Sequence, residues 1–189
     1  MFENEKFDEI LTVIRNGEVI LYPTDTIWGI GCDATNEKAV EKIIDIKSRR
    51  SDKGFVVLVD SIEMLKKFVK HVHPRVETLI SFHERPLTVI YDEGKGVAKK
   101  VMGDDGSLAV RVVQDPFCRE LIKQFGKPLV STSANISGEP FPSHFGEISS
   151  EIFEKVDFVV KYKQDSKDQG EPSVIVRLNE QEELDFIRE

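Results

Sequence analysis

Residues 55–59 read FVVLV, a run in which every side chain is apolar. Such a strand is typical of a sheet that is covered on both faces, because a half-exposed strand alternates polar and apolar residues. Helical patterns lie on either side of it: Asn36 can cap a helix that runs to about Ser48, and Ser61 can cap the next helix. Strands that alternate with helices in this way predict an α/β domain with helices packed on a sheet.

The rest of the chain follows the same scheme. Short apolar runs predict further strands at residues 17–23, 87–91, 108–113, 128–130, 158–160 and 173–178. Helical spacing predicts further helices at about 75–82, from Pro116 to Gly126 behind the N-cap residue Asp115, and at about 145–155. Because no linker rich in Pro, Gly or Ser interrupts this order, we expect a single domain over residues 1–189.

Composition limits the classes of function. The 189 residues carry 26 Lys and Arg against 34 Asp and Glu, a net charge of -8, whereas proteins that mainly grip nucleic acid are usually basic. No apolar run reaches the roughly eighteen residues needed to cross a bilayer, and the first residues do not resemble a signal peptide. The two cysteines have no C-x-x-C spacing. We therefore expect a cytoplasmic protein with no membrane contact and no metal site of its own.

The stretch YPTDTIWGIG, residues 22–31, follows a buried strand with small polar side chains, a Trp and two glycines. Thr and Asp side chains can bond their own backbone, so the segment fits an ordinary turn as well as it fits the wall of a ligand pocket. Gly29 and Gly31 alone are a weak phosphate signal, because the third glycine of a dinucleotide site is missing.

A basic segment, KSRRSDKG at residues 47–54, lies between the end of a helix and the strand FVVLV. Cations at a helix C-terminus complement the helix dipole, which would account for them without any ligand. Lys47, Arg49 and Lys53 also form a group suited to a triphosphate, since Arg offers a planar fork and Lys a point charge.

Small hydroxyls follow another strand, in LVSTSANISG at residues 129–138. Ligands of α/β proteins bind at strand ends of this kind, and the G-x-S-x-G motif of a serine hydrolase is missing. Arg111 stands alone in an apolar strand, so it either reaches solvent from an edge or pairs with an anion.

Together, these segments resemble the YrdC-like threonylcarbamoyl-AMP synthases. The match covers roughly residues 17 to 178, in the stretches YPTDTIWGIGCDA, IKSRRSDKG, RPLTVIY, LAVRVVQDPFCRELI, PLVSTSANISGEP and PSVIVRL. The resemblance implies a single α/β domain with a twisted mixed sheet and an open, cationic cavity. It also implies the synthesis of threonylcarbamoyl-AMP and pyrophosphate from L-threonine, bicarbonate or CO2, and ATP with Mg2+. Partner proteins would then modify tRNA.

The resemblance also assigns roles to individual residues. The family's K-x-R element falls on Lys47 and Arg49, which would be catalytic, and Trp28 and Leu58 depart from the family's common Tyr and His. The residues expected to bind ATP are Lys47, Arg49, Lys53, Ser107, Ser133 and Asn135. The residues expected to bind threonine are Thr26, Arg111, Ser131 and Ser173.

Two other functions stay open on the sequence. The chain could be a binding module for double-stranded RNA or tRNA without synthase activity, although its net charge of -8 speaks against this and favours at most a weak contact. It could also be a carbamoyl-transfer domain of the same fold, which usually occurs within a longer chain.

Overall fold

The computed structural model describes residues 6–48, 54–168, 170–179 and 181–188. They form a single α/β domain with a mixed, open sheet and helices packed on it, as the sequence predicts. Arg49, Arg50 and Lys53 lie outside the described residues.

The strands are β1 (Ile20–Tyr22), β2 (Gly29–Gly31), β3 (Val56–Val59), β4 (Leu87–Tyr91), β5 (Leu108–Val112), β6 (Leu129–Ser133), β7 (Phe158–Val159), β8 (Val174–Leu178) and β9 (Leu184–Arg188). The α-helices are α1 (Phe7–Arg15), α2 (Glu37–Lys47), α3 (Ile62–Phe68), α4 (Pro74–Phe82), α5 (Pro116–Phe125) and α6 (Ser150–Lys155). Two short 3-10 helices occupy Lys99–Val101 and Phe145–Glu147.

The described strands form one sheet in the order β7-β1-β2-β6-β3-β5-β4-β8-β9. Three pairs are parallel (β3 with β5, β4 with β8, β1 with β7) and the other five are antiparallel, so the sheet is mixed. Strand β3 contains most of the FVVLV run and lies in the middle of this order, where Val57, Leu58 and Val59 are fully buried. The apolar run thus marks a covered central strand, as predicted.

The predicted capping residues begin and end their helices. The Asn36 carboxamide oxygen accepts from the backbone N–H groups of Lys38 and Ala39 at the start of α2. The Ser61 hydroxyl accepts from a backbone N–H of α3, and the Asp115 carboxylate from one of α5. Gly126 ends α5 with φ 78°, a left-handed conformation that glycine adopts without steric cost.

The stretch after β1 differs from the expected loop. Gly29–Gly31 is strand β2, which pairs antiparallel with β1 and, through Gly29 and Ile30, with β6. A Cβ on Gly31 would lie 2.6 Å from the Tyr22 ring and 2.6 Å from the Val130 carbonyl oxygen. This glycine therefore lets three strands pack closely, and only residues 23–28 form the connection.

Three further elements differ from the sequence prediction. The helix expected at about 145–155 is a 3-10 helix followed by the short α6, and Phe145 packs against Trp28 with ring centroids 4.8 Å apart. Helix α1 was not predicted, although its apolar side chains have helical spacing and are buried. Strand β9 was not predicted either, because most of its residues are exposed at the sheet edge.

No helix among the described residues is both long and apolar enough to cross a membrane.

Candidate functional site

A cleft of about 690 Å³ lies on one face of the sheet. In the register of the central strands, Val56 lies opposite Ala109 on one side and Ser131 on the other, and all three line the cleft. The neighbouring positions Val57, Val110 and Val130 are buried, because successive side chains of a strand alternate between the two faces. The polar lining comprises Thr26, Arg111, Ser131, Thr132, Ser133, Ser173 and Arg188.

The cleft brings together five residues that the sequence predicts to bind ligands: Thr26, Arg111, Ser131, Ser133 and Ser173. They come from the β1–β2 connection, from β5, from β6 and from the residue before β8, which are far apart in the chain. These five residues are therefore brought together by the sheet, although they are far apart in the sequence.

The β1–β2 connection presents Thr26 to the cleft. The Thr24 hydroxyl accepts from the Thr26 backbone N–H at 3.1 Å and donates to the Ile27 carbonyl at 2.8 Å. The hydroxyls of Thr24 and Thr26 lie 2.8 Å apart, so Thr26 must be the donor of that bond. The Thr26 oxygen also accepts from Arg111 Nη1 at 3.1 Å. Turn bonding and ligand presentation are thus two functions of the same residues.

Arg111 is buried and pairs with an anion, as one of its two sequence interpretations predicts. Its Nη2 lies 3.2 Å from Asp25 Oδ1, and both side chains are almost fully buried. The contact is a charge pair without an aligned hydrogen bond, since Asp25 Oδ1 and Arg111 Nε have no hydrogen-bond partner among the described residues. Asp25 Oδ2 accepts from the Gln114 backbone N–H at 3.2 Å. Arg111 therefore keeps donor capacity for a ligand.

Arg188 is a second cation in the cleft that sequence reasoning missed. Its Nε donates to the Ser173 carbonyl at 2.9 Å and its Nη2 to the Ser173 hydroxyl at 3.2 Å. The Ser173 hydroxyl also lies 2.8 Å from the Thr88 hydroxyl. Burial, and then the nearby charge of Arg111, lower the pKa of Arg188. Within the described part of the chain Arg188 has no carboxylate partner, so its charge is available to an anion.

Lys47 lies behind the end of β6. Its Nζ donates to the carbonyl oxygens of Ser133 at 2.6 Å and Asn135 at 2.7 Å, and to the Asn135 carboxamide oxygen at 3.3 Å. The Lys47 carbonyl in turn accepts from the Ser137 backbone N–H at 3.0 Å. The last turn of α2 is thereby fastened to the loop that follows β6.

The Asn135 side chain bonds to the loop after β6, in which it lies. Its Nδ2 donates to the Ile136 carbonyl at 3.2 Å and to the Glu139 carbonyl at 2.6 Å. Ser133 thus presents its side chain to the cleft, while Lys47 and Asn135 hold the backbone beneath it.

Ser107 does not line the cleft. Its backbone N–H donates to the Asp105 carboxylate at 3.0 Å, within a loop that returns to Gly103. Gly54, a lining residue, packs on this loop so closely that a Cβ would lie 2.8 Å from the Gly103 nitrogen. Arg49 and Lys53, the other predicted phosphate ligands, lie outside the described residues, so the cationic character of the cavity as a whole stays a prediction.

The β1–β2 connection is supported from outside the cleft by Gly170. The Gly170 backbone N–H donates to the Ser143 carbonyl at 3.3 Å, and a Cβ on Gly170 would run into the Thr26 carbonyl oxygen. The described residues contain no group of three or more His, Cys, Asp or Glu side chains that could hold a metal ion.

The comparison of the chain with known proteins identifies its family. A family model for Sua5, YciO and YrdC, described as "Telomere recombination", matches residues 12–189. The chain belongs to the Sua5/YciO/YrdC family. The matched range includes the ends of β1, α2 and β6, where the sequence resemblance predicts the ligand-binding motifs.

Two curated relatives of this chain are named for the same activity. A protein of Vibrio parahaemolyticus named threonylcarbamoyl-AMP synthase is 33% identical over 167 residues, which is 87% of this chain and 90% of that protein. A Vibrio campbellii protein of the same name is 36% identical over 139 residues, 72% of this chain and 75% of that protein.

Solved structures of the Sua5/YciO/YrdC family have the same fold. P. abyssi Sua5, solved in complex with L-threonine, superposes with a TM-score of 0.82 at 27% identity, over 96% of this chain. The matched part is 53% of the Sua5 chain, so this protein spans about half of it. E. coli YciO has a TM-score of 0.83 at 22% identity, over 97% of this chain and 88% of YciO, which supports the fold alone.

Proposed function

We propose that the protein is an L-threonylcarbamoyladenylate synthase, which forms threonylcarbamoyl-AMP and pyrophosphate from L-threonine, bicarbonate or CO2, and ATP. The observation that carries this proposal is the shared cleft, in which Arg111, Arg188 and Thr26 face the hydroxyls of β6. The names of the curated relatives support the same activity. The activity brings two negatively charged reactants together, and the guanidinium groups of the buried Arg111 and the exposed Arg188 suit that task.

Threonine binds at the Arg111 end of the cleft. The Nη groups of Arg111 can donate to the substrate carboxylate, because Nη1 uses one of its two hydrogens for Thr26 and the contact of Nη2 with Asp25 lacks an aligned hydrogen bond. The Thr26 hydroxyl already donates to Thr24, so it can only accept from the hydroxyl of threonine. Valine cannot supply this hydrogen bond and therefore binds less well, although Arg111 Nη1 keeps the Thr26 oxygen paired. The Ser131 and Ser173 hydroxyls complete this end of the site.

The nucleotide binds toward the end of β6. The Ser133 hydroxyl contacts it there, on a backbone that Lys47 and Asn135 hold in place. Arg49 and Lys53 are the proposed phosphate ligands, since they follow Lys47 in the chain and precede the lining residue Gly54. Ser107 does not line the cleft, so we propose that it contacts the nucleotide from the loop on which Gly54 packs, at the rim of the site. The two substrates then lie along one face of the sheet.

The chemistry needs charge neutralisation and alignment. The amine of threonine and CO2 form a carbamate, whose oxygen attacks the α-phosphorus of ATP while the bond to pyrophosphate breaks. Both reactants are anions, so fixed cations that stabilise the developing charge lower the barrier. Mg2+ usually binds to substrate phosphates and one or two carboxylates. Since Asp25 is already paired with Arg111, we propose that Mg2+ enters as the ATP complex and neutralises phosphate charge.

Pyrophosphate release tests the proposal. We expect purified protein given L-threonine, bicarbonate, ATP and Mg2+ to release pyrophosphate, and to stop when threonine is omitted. Thr26→Val should raise the KM for threonine by about tenfold and reduce the preference of the enzyme for threonine over valine. Thr12→Val is a matched control, because Thr12 is an exposed residue of α1 whose hydroxyl bonds only the Asp8 carbonyl. Release that continues without any amino acid would refute the synthase.

We further propose that the product passes to tRNA-modifying partner proteins in the cytoplasm, where threonine, ATP and tRNA occur together. A direct contact with tRNA or double-stranded RNA would be weak at a net charge of -8. A stand-alone RNA-binding module is not favoured, since the curated relatives are named as synthases.

A further inference from the structure

A fully buried threonine lies beneath the Arg111 end of the cleft. Thr88 of β4 is completely shielded from water. Its side chain is on the cleft face of the sheet, because Ile90, two residues further along the strand, lines the cleft and side chains alternate between the two faces. In the register of the sheet Thr88 lies between Arg111 of β5 and Ile175 of β8, which both line the cleft. Thr88 does not line the cleft itself, so it can act on a ligand only through another residue.

A chain of hydrogen bonds joins Thr88 to Arg188. The hydroxyl oxygens of Thr88 and Ser173 lie 2.8 Å apart. The Ser173 hydroxyl oxygen accepts from Arg188 Nη2 at 3.2 Å, and the Ser173 carbonyl accepts from Arg188 Nε at 2.9 Å. Because a guanidinium group can only donate, the Ser173 hydroxyl must turn a lone pair toward Arg188. Whichever of the two hydroxyls is the donor, its bond with Thr88 favours the Ser173 rotamer that presents this lone pair.

Arg188 needs such support to stay at the cleft. It belongs to the exposed edge strand β9 and has no carboxylate partner within the described part of the chain. Burial, and then the like charge of Arg111, lower the pKa of Arg188, so the charged side chain is held against a repulsion. A long side chain of this kind also loses much rotamer freedom when it is fixed. The two oxygens of Ser173 oppose both effects.

We propose that Thr88 is a positioning residue of the cleft: it fixes the Ser173 side chain, and Ser173 holds the Arg188 guanidinium group in place for an anionic group of a substrate. The anion is the carboxylate of threonine or a phosphate of ATP, since both carry the charge that Arg188 binds. The inference rests on the proposed synthase activity for its ligand, whereas the hydrogen-bond chain exists without one.

Two substitutions at residue 88 separate positioning from mere stability. Thr88→Val keeps the shape and removes the hydroxyl, so it should raise the KM of the substrate that Arg188 binds by about fivefold, which is within the range of a single hydrogen bond. Thr88→Ser keeps the hydroxyl and removes a buried methyl group, so it should lower the melting temperature and leave KM unchanged. A residue that only stabilises the sheet would not separate KM from stability in this way.

The matched control is Thr35→Val, which removes a hydroxyl that donates to the Asp33 carboxylate at 2.6 Å, away from the cleft. We expect it to leave both KM values unchanged. In the Arg188→Ala background Thr88→Val should cause no further rise in KM, because residues that act through one contact are not additive.

A second measurement needs no substrate. The 15N-1H NMR signal of the Arg188 Nε–H group can be assigned by its loss in Arg188→Ala. We expect its heteronuclear Overhauser effect to be high in the unaltered protein and in Thr88→Ser, and lower in Thr88→Val, where the side chain moves more freely.

Three results would each overturn the proposal. They are an Arg188 signal that is the same in Thr88→Val and the unaltered protein; unchanged KM values for threonine and ATP in Thr88→Val; and an equal rise in KM when Thr88→Val is added to Arg188→Ala, which would mean that Thr88 acts independently of Arg188. If the unaltered protein released no pyrophosphate, the synthase would be refuted, and the Arg188 signal would still decide whether Thr88 positions this side chain.

Discussion

Arg111 Nη2 and Asp25 Oδ1 lie 3.2 Å apart in a place where both side chains are almost fully shielded from water. The pair joins the middle of the sheet, in β5, to the connection between β1 and β2. Without a countercharge, a guanidinium buried in an apolar strand would be strongly unfavourable. Asp25 thus makes it possible to keep a cation at the base of the cleft before any substrate binds.

Asp25→Asn tests this relationship. We expect it to lower the free energy of unfolding by about 3 to 5 kcal/mol, because the buried charge of Arg111 loses its partner. Asp92→Asn is the matched control, since Asp92 pairs with Arg177 at the surface and its loss should change stability by about 1 kcal/mol at most. Urea unfolding measures both. If both variants had equally small effects, burial of the Arg111 charge would not depend on Asp25.

Lys47→Met distinguishes support of the backbone from direct phosphate binding. The change removes the ammonium group that donates to the Ser133 and Asn135 carbonyl oxygens. We therefore expect the free energy of unfolding to fall by at least about 2 kcal/mol, together with a lower kcat. Lys38→Met, at an exposed position of the same helix, should change the free energy of unfolding by no more than about 0.5 kcal/mol. A variant that keeps its stability and loses only ATP affinity would favour direct phosphate contact.

Arg188→Ala removes the cleft cation that has no carboxylate partner within the described residues. We expect KM to rise about tenfold for threonine or ATP, since a charge-assisted hydrogen bond contributes about 1.5 to 3 kcal/mol. Arg177→Ala provides the comparison, because Arg177 lies outside the cleft and bonds Asp92. Steady-state kinetics with each substrate varied in turn will identify which anion Arg188 binds. Unchanged KM values for both substrates would exclude a contact with either.

Gly170→Ala should disturb the threonine end of the site without touching the cleft itself. A Cβ at residue 170 would collide with the Thr26 carbonyl, so the β1–β2 connection must shift. We expect the KM for threonine to rise several-fold while the KM for ATP changes little. Gly146→Ala is the control, since its Cβ would meet only the His144 ring, at 3.4 Å. If Gly170→Ala raised the KM values for threonine and ATP equally, the displacement of the β1–β2 connection would have to extend to the nucleotide end of the cleft.

Local chemistry made much of the fold predictable. Asn36, Ser61 and Asp115 satisfy backbone N–H groups of the residues that follow them, so their helices could be placed from sequence. The FVVLV run could be assigned to a covered strand because all of its side chains are apolar. Strand β2 could not be recognised, since Gly31 is explained by its close packing on Tyr22 and Val130 and Gly29 by its packing on Ser131 and Thr132, which are tertiary contacts.

The site was less predictable than the fold. Thr26, Arg111 and Ser131 could be selected because hydroxyls at a strand end and a lone Arg in an apolar strand are unusual. Asp25 was visible in the same motif, but its pairing with Arg111 depends on the sheet. Arg188 belongs to an edge strand that is mostly exposed, and the sequence of this strand, LDFIR, lacks the regular polar and apolar alternation that would have identified it.

The position of β9 also bears on biosynthesis. Among the described lining residues the cleft takes one of two guanidinium groups from residue 188, and β9 joins the described sheet through β8. A growing chain can therefore pair its earlier strands before β9 leaves the ribosome, but its cleft then lacks Arg188. Binding of any anion that needs Arg188 would begin only after β9 has paired with β8.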